Sequence, residues 1–323
     1  MHILLAGLGT YGLGWFERIL KEYPVFSLSI ADNNPVNFKK LKNFKGNCYN
    51  SVNEALKNEK PDFMINVTPP QMHKDTDFLA FQNHIPVLSE KPISDNFFDS
   101  HQIVQKAEEE KVLFMVAENY REIPSVKKAR CLIEDGTIGQ ISQIHIQFLK
   151  NFYTDKEYFI RMKEPLLADI TIHHLDTLKY LTGSAAKTVY ARSYKNRNNL
   201  LYRGNTCLNS LIELRNGIKV LYNGSLTSFQ DETDWLGNWR IEGDKGGIIL
   251  TQNQIIISTV KSNEIIKDFK DIPYLDSISE FIKILGTNKD HPLLGRNYLK
   301  NQEMAYYMEL SSDFNRVEIL PEN

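Results

Sequence analysis

Met1-His2-Ile3-Leu4-Leu5-Ala6-Gly7-Leu8-Gly9-Thr10-Tyr11-Gly12 is the stretch that decides how this chain begins to fold. An apolar strand runs straight into three glycines at G-x-G-x-x-G spacing, and Asp32 follows twenty residues after Gly12. Each glycine has its own task. Gly7 allows a tight turn, Gly9 lets the backbone approach a ligand, and Gly12 lets a helix pack closely on the sheet. The pattern points to a dinucleotide, whose pyrophosphate would sit on the amides of a helix opening near Thr10 and Tyr11. Asp32 ends a second apolar run at 26–31, where a carboxylate accepts from ribose hydroxyls. An acid there repels a 2′-phosphate, and no arginine follows in Asp32-Asn33-Asn34-Pro35 to receive one. NAD is the cofactor expected, with NADP the alternative.

Working outward, short apolar runs at 3–6, 26–31, 63–67, 86–88 and 112–117 alternate with amphipathic stretches such as 71–83 and 94–110. That alternation predicts a doubly wound parallel sheet, which binds ligands beyond the carboxyl ends of its strands. After Arg121 the pattern changes. A helix is expected over 124–135, then strands near 144–148, 187–194, 207–214, 217–226, 238–242, 247–251 and 254–259. Asn216-Gly217 reads as a hairpin turn, and helices are expected at 168–182, 274–286 and 297–312. The fold class is therefore α/β: a nucleotide-binding domain over 1–121, and an α/β domain with a mostly antiparallel sheet over 122–323.

The chain has 323 residues and a formal net charge of −2. That balance gives no basic field for nucleic acid. Cys48, Cys131 and Cys207 have neither metal nor disulfide-framework spacing. The first apolar stretch is too short for a signal peptide or membrane span, so a cytoplasmic protein with no membrane partner is expected.

Two constellations carry chemistry. The run at 63–67 leads into Thr68-Pro69-Pro70-Gln71-Met72-His73, and the run at 86–88 into Ser89-Glu90-Lys91-Pro92. Both fall where the first domain should hold its cofactor, which puts Thr68, Pro69, His73, Glu90 and Lys91 in the binding set with Asn33. A lysine at that edge polarises a hydroxyl or carbonyl, or loses its proton when desolvated. In the second domain Asp169, His173 and Asp176 fall at i, i+4 and i+7 of the expected helix and share one face. Histidine accepts a proton near neutral pH, and a carboxylate one turn away orients the ring. His174 points elsewhere, and its alternative reading is a satisfied helix residue. Adjacent histidines diverge on a helix and cannot chelate together, so no metal is expected.

In this order the segments Gly7-x-Gly9-x-x-Gly12, Thr68-Pro69-Pro70-x-x-His73, Glu90-Lys91-Pro92 and Asp169-x-x-x-His173-x-x-Asp176 resemble the glucose-fructose oxidoreductase, inositol dehydrogenase and MocA family. Glu118-Asn119-Tyr120-Arg121, Gly136-x-Ile138-Gly139 and Gly243-Asp244-Lys245-Gly246-Gly247 also look like its landmarks. The resemblance implies an N-terminal Rossmann domain and a C-terminal domain whose open sheet builds a dimer or tetramer. It implies NAD(P)-dependent oxidation of a ring hydroxyl on a sugar or polyol. Lys91 then matches the lysine at the hydroxyl that loses hydride, His173 the proton acceptor and Asp169 its partner. Pro92 matches a proline often preceded by a cis peptide, and Asn119 and Arg121 match positions near nicotinamide and substrate. Thr171 departs from the glycine common in the family.

Oxidising an alcohol requires that a hydroxyl proton leave as hydride departs from the same carbon. A His–Asp pair and a lysine meet that need. Residues 150–166 with Trp235, Trp239 and Arg240 are expected to rim the substrate pocket, and Lys150 and Arg161 to face an acidic or phosphorylated sugar. Two alternatives stand beside the dehydrogenase: a redox-neutral glycosidase or epimerase that recycles bound NAD, and a non-enzymatic regulator that senses NAD or a sugar.

Overall fold

The computed structural model describes residues 1–323 except 198, 230, 274, 275, 288 and 323. It contains two compact units, Met1–Glu118 with Ser277–Leu299, and Asn119–Asp276 with Lys300–Asn323.

In the first unit β1 (His2–Ala6), β2 (Ser27–Ala31), β3 (Cys48–Tyr49), β4 (Phe63–Asn66), β5 (Val87–Ser89) and β6 (Phe114–Val116) form one sheet in the order β3-β2-β1-β4-β5-β6. Every pairing is parallel. The strands are near-continuous apolar runs because helices cover both faces of such sheets. The helices are α1 (Thr10–Glu22), α2 (Val52–Asn58), α3 (His73–Gln82) and α4 (Phe97–Glu109). The order reverses between β1 and β4, so the crevice for a ligand opens at their carboxyl ends. A side chain is excluded at Gly12, where a Cβ would stand 2.2 Å from the Gly7 carbonyl oxygen. Gly7 itself sits at φ +98°, a region that favours glycine.

The second unit is a nine-stranded sheet. Its strands are β7 (Ile141–Leu149), β8 (Ala186–Tyr194), β9 (Cys207–Leu214), β10 (Lys219–Ser225), β11 (Asn238–Gly243), β12 (Gly246–Leu250), β13 (Ile255–Thr259), β14 (Asn263–Ile266) and β15 (Glu318–Ile319). The order is β14-β13-β12-β11-β7-β10-β9-β8-β15, and only β7 with β10 pairs in parallel among these neighbours. Helices α5 (Pro124–Glu134), α6 (Glu157–Arg161) and α7 (Ile172–Thr182) belong to this unit. The glycine landmarks here are structural. Gly139, at φ +72°, lies against the Asp244 carboxylate, which accepts from the Gln140 N–H at 2.8 Å.

The two-unit division differs from a cut after residue 121 in one respect. Residues 277–299 pack with the first unit. The apolar face of α8 (Ser277–Ile284) explains this: Ile278, Phe281 and Ile284 are buried, and Phe281 lies 5.1 Å from Phe63 between ring centroids. Burying three such side chains contributes about 5–9 kcal/mol as an upper bound, more than enough to draw the segment back. The helix expected at 274–286 begins on residues 274 and 275, which lie outside the described residues. The last helix, α9 (Gly295–Phe314), crosses the division after Leu299. Periodicity missed α6, β14 and the two-residue strands β3 and β15, because runs this short carry no measurable period.

Candidate functional site

At the carboxyl end of β1 the chain turns on Gly7, whose N–H donates to Ala31 O at 2.8 Å, and Leu8 N–H donates to Asp32 Oδ2 at 2.5 Å. Asp32 Oδ1 accepts from Asn34 N–H at 2.7 Å and Asn37 Nδ2 at 3.1 Å. The buried carboxylate therefore staples the glycine turn to the end of β2, and Oδ2 keeps capacity for a further donor. Helix α1 starts at Gly9–Thr10 with no side-chain cap and no acid in its first turn. A Cβ built on Gly9 would meet nothing within 4 Å. Open space at an acid-free helix start fits a pyrophosphate, and the Asp32 edge fits a ribose. Thr10, Tyr11, Asn33 and Pro69 are exposed around this edge.

The ends of β4 and β5 are held from beneath by α3. Thr68 N–H and Oγ1 both donate to Asn66 Oδ1, at 3.1 and 2.7 Å, and Asn66 Nδ2 donates to Asp77 Oδ1 at 2.7 Å. Burial pushes the Asp77 carboxyl up to about 8, against the opposing pull of Asn66 and Ser89. The Ser89 hydroxyl lies close enough to exert that pull but makes no hydrogen bond of ordinary geometry with Asp77 Oδ2. His73 is fully buried, and its nitrogens stand near the carbonyls of Thr68, Pro92 and Ile93. Burial lowers its basicity while those carbonyls favour the charged ring. Its ring thus supports loops and does not present itself to a ligand. Glu90 accepts from Trp15 Nε1 at 2.8 Å and from the Lys91 N–H at 3.1 Å. Lys91 is half-buried, and the Lys91–Pro92 peptide is cis.

In the second unit the expected helix 168–182 opens as a π-helical turn, Leu166–Thr171, before α7. Such turns recur at functional positions. His173 is 5 % exposed, and Tyr120 stacks flat on it, with centroids 4.1 Å apart and planes 7° from parallel. Asp169 is half-buried in the π turn. Asp176 lies further along α7. It is fully buried and takes the Arg121 guanidinium in two hydrogen bonds, Nε to Oδ2 at 2.8 Å and Nη2 to Oδ1 at 2.6 Å, with Asn301 Nδ2 at 2.8 Å. Arg121, expected beside the substrate, is thus spent on an internal ion pair, because a buried carboxylate must be neutralised where it stands. Asn119 is exposed next to that arginine's turn.

His174 is the satisfied helix residue of its alternative reading. Its Nδ1 lies 3.0 Å from Tyr222 Oη and its Nε2 3.0 Å from Trp235 O. Thr171 is buried, donating to Leu166 O at 3.0 Å and lying 3.0 Å from Tyr222 Oη, so its hydroxyl faces this core network. The expected pocket rim is also corrected. Trp239 is fully buried, with Nε1 donating to Leu236 O. Arg240 sits on an exposed position of β11 and pairs with Glu242. Lys150 pairs with Glu232 at 2.9 Å beneath the Trp235 ring, and Arg161 pairs with Glu157, so neither stands as an open cation. Tyr120, within the landmark Glu118-Asn119-Tyr120-Arg121, is the ring that covers His173, a role its motif does not signal.

The parallel sheet, its crevice and the acid-edged glycine turn define a dinucleotide-binding domain. Residues 1–118 match the oxidoreductase family with an NAD-binding Rossmann fold, and residues 126–249 match the GFO/IDH/MocA C-terminal domain. The chain belongs to this family, and its first unit is an NAD-binding Rossmann domain. Among relatives, it is 27% identical over 265 residues to the uncharacterized protein y4oX of Sinorhizobium fredii, covering 78% of this chain and 73% of that one. It is 25% identical over 158 residues to the D-apiose dehydrogenase of Rhizobium rhizogenes, covering 48% of this chain and 45% of that enzyme. The fold superposes with TM-score 0.86 on an oxidoreductase from Agrobacterium radiobacter solved with NAD+, L-tartaric acid and magnesium, at 19% identity over 99% of this chain and 98% of that one. Among the described residues no helix is long and apolar enough to cross a membrane, and no group of three or more His, Cys, Asp or Glu could hold a metal ion.

Proposed function

We propose that this protein is an NAD-dependent dehydrogenase that oxidises a hydroxyl of a sugar or polyol. The observation that carries the reading is the carboxyl edge of the first sheet, along which an acid-free helix start, the stapled Asp32 and the half-buried Lys91 are spaced. Gly7, Gly9 and the first amides of α1 would hold the pyrophosphate, and Asp32 the adenosine ribose. When bound, NAD supplies the acceptor for hydride. Lys91 donates a hydrogen bond to the substrate oxygen and stabilises the negative charge that develops there. His173 accepts the hydroxyl proton, and Asp169 orients the ring and stabilises its charged form. The alcohol thereby loses a hydride and a proton and becomes a carbonyl compound. The D-apiose dehydrogenase relationship supports a sugar as substrate. The test is a panel of aldoses, polyols and sugar phosphates with NAD, scored by NADH absorbance. No NADH from any member, together with tightly copurified NAD, would replace this reading with the redox-neutral one.

The same reading makes the protein a homo-oligomer built on the nine-stranded sheet. Tyr190, Leu211, Leu221, His145, Arg240, Ile249, Ile256 and Ile265 are successive cross-strand partners, one row running from β8 to β14. Tyr190, Leu211, Leu221, Ile249 and Ile265 are all exposed along it, an apolar row of the kind that a second copy covers. Light scattering of the purified chain decides this, and a monomer at micromolar concentration rules it out.

A further inference from the structure

His73 opens α3, and carbonyls from two separate loops meet its ring. Nδ1 stands 3.0 Å from Pro92 O and 3.2 Å from Ile93 O, and Nε2 stands 2.8 Å from Thr68 O. Carbonyls only accept, so a neutral ring serves one loop through its single N–H, and only the charged ring donates to both. Thr68 lies in the loop after β4, while Pro92 and Ile93 follow Lys91 in the loop after β5. The two strands are paired from Met64↔Val87 to Asn66↔Ser89, and the Glu90 N–H to Asn66 O bond at 2.8 Å extends the ladder one step further. Past that step the loops diverge, and His73 reaches both. Asp77, one helical turn along, grips the strand side of the same junction through Asn66. The ring is 0% exposed, so its rotamer is set by packing as well as by these partners.

We propose that His73 is a positioning residue for Lys91: its imidazole ties the loop carrying the lysine to the loop after β4 and holds the ammonium group at one depth over the sheet edge. This inference rests on the proposed role of Lys91. An ordinary buried histidine would stabilise the fold without changing the behaviour of molecules that remain folded, and that difference makes the idea testable. The lysine precedes the tie by a single residue, so loss of the tie displaces it. A displacement of about 1 Å costs up to about a hundredfold in rate.

The experiment uses His73→Gln, whose amide donates from one nitrogen only and cannot span both loops as the ring does, and His73→Asn as the second variant should the first not fold. Hydrogen–deuterium exchange is followed in peptides covering 67–72 and 90–95, with β1 and β2 as internal references. Exchange about tenfold faster in both loops, with the references unchanged, is expected. Turnover on the best substrate of the panel should fall by about ten- to a hundredfold. In the Lys91→Ala background, His73→Gln should cost less than about twofold further, because the two act as one unit. Unchanged loop exchange overturns the proposal, as does an equal rise across β1 and β2, or a full further loss in the double variant. If Lys91→Ala by itself keeps wild-type turnover, the lysine's role is what fails, and the exchange result still reports on the tie.

Discussion

The two units hold their candidate residues by opposite means. In the first, the machinery is backbone and strand ends: Gly7, Leu8, Asp32, Thr68, Glu90 and Lys91 each follow a parallel strand, and the sheet order sets their neighbours. In the second, the candidates are side chains on a single helical segment, and neighbouring positions have unrelated fates. His173 lies under Tyr120, His174 is bonded into the core, and Asp176 is consumed by Arg121. A site built on strand ends is legible from chain order, whereas a helix presents all its faces and only packing selects one.

The sharpest way to break this contrast is Lys91→Ala. Turnover should fall by about a hundredfold or more, while NADH affinity, measured by fluorescence titration, stays within a few-fold, as the proposed hold of backbone amides on the dinucleotide requires. Turnover near wild type would mean that the strand-end lysine is only a surface group.

Arg121→Ala probes the other side. Removing one partner of a buried ion pair strands Asp176 and should destabilise the protein by about 3–5 kcal/mol, read from the urea midpoint. A cost below about 1 kcal/mol, typical of an exposed pair, would return Arg121 to the substrate-facing role.

Asp32→Ser with Asn33→Arg should move the NAD/NADP preference toward NADP by tenfold or so, about 1.4 kcal/mol. An unchanged ratio of kcat/KM values would show that the ribose is read elsewhere. Because Asp32 also staples Leu8, some loss of NAD binding is expected with it.

The remaining effect, spread over several pH units, belongs to Asp77. Its carboxyl is raised by burial to about 8, so it is neutral at lower pH. A raised folded pKa contributes stability that is fully present below the unfolded value and is lost as pH rises through the folded one. Wild type should therefore lose stability relative to Asp77→Asn between about pH 5 and about pH 8, by at most about 1.4 kcal/mol per pH unit. Parallel curves for the two proteins would show that the carboxyl is already ionised.

Read as a chain of residues, the sequence determined a good deal. The alternation of short apolar runs with amphipathic stretches specified a parallel sheet, and the G-x-G-x-x-G run with Asp32 a nucleotide edge, since continuous apolar runs and glycine geometry are local properties. It also marked Lys91, Asp169 and His173, because their motifs are short. What it could not separate were residues that look alike in one dimension. His73 and Arg121 carry the same chemistry whether they face a ligand or a buried partner, and only tertiary packing turned the first onto three carbonyls and the second onto Asp176. Trp239 and Arg240 are adjacent and went to opposite sides of β11, one buried and one exposed, as strand alternation requires once the strand is placed. The return of 277–299 to the first core was likewise decided in three dimensions. Burial free energy depends on which surfaces meet, and no local pattern names the partner.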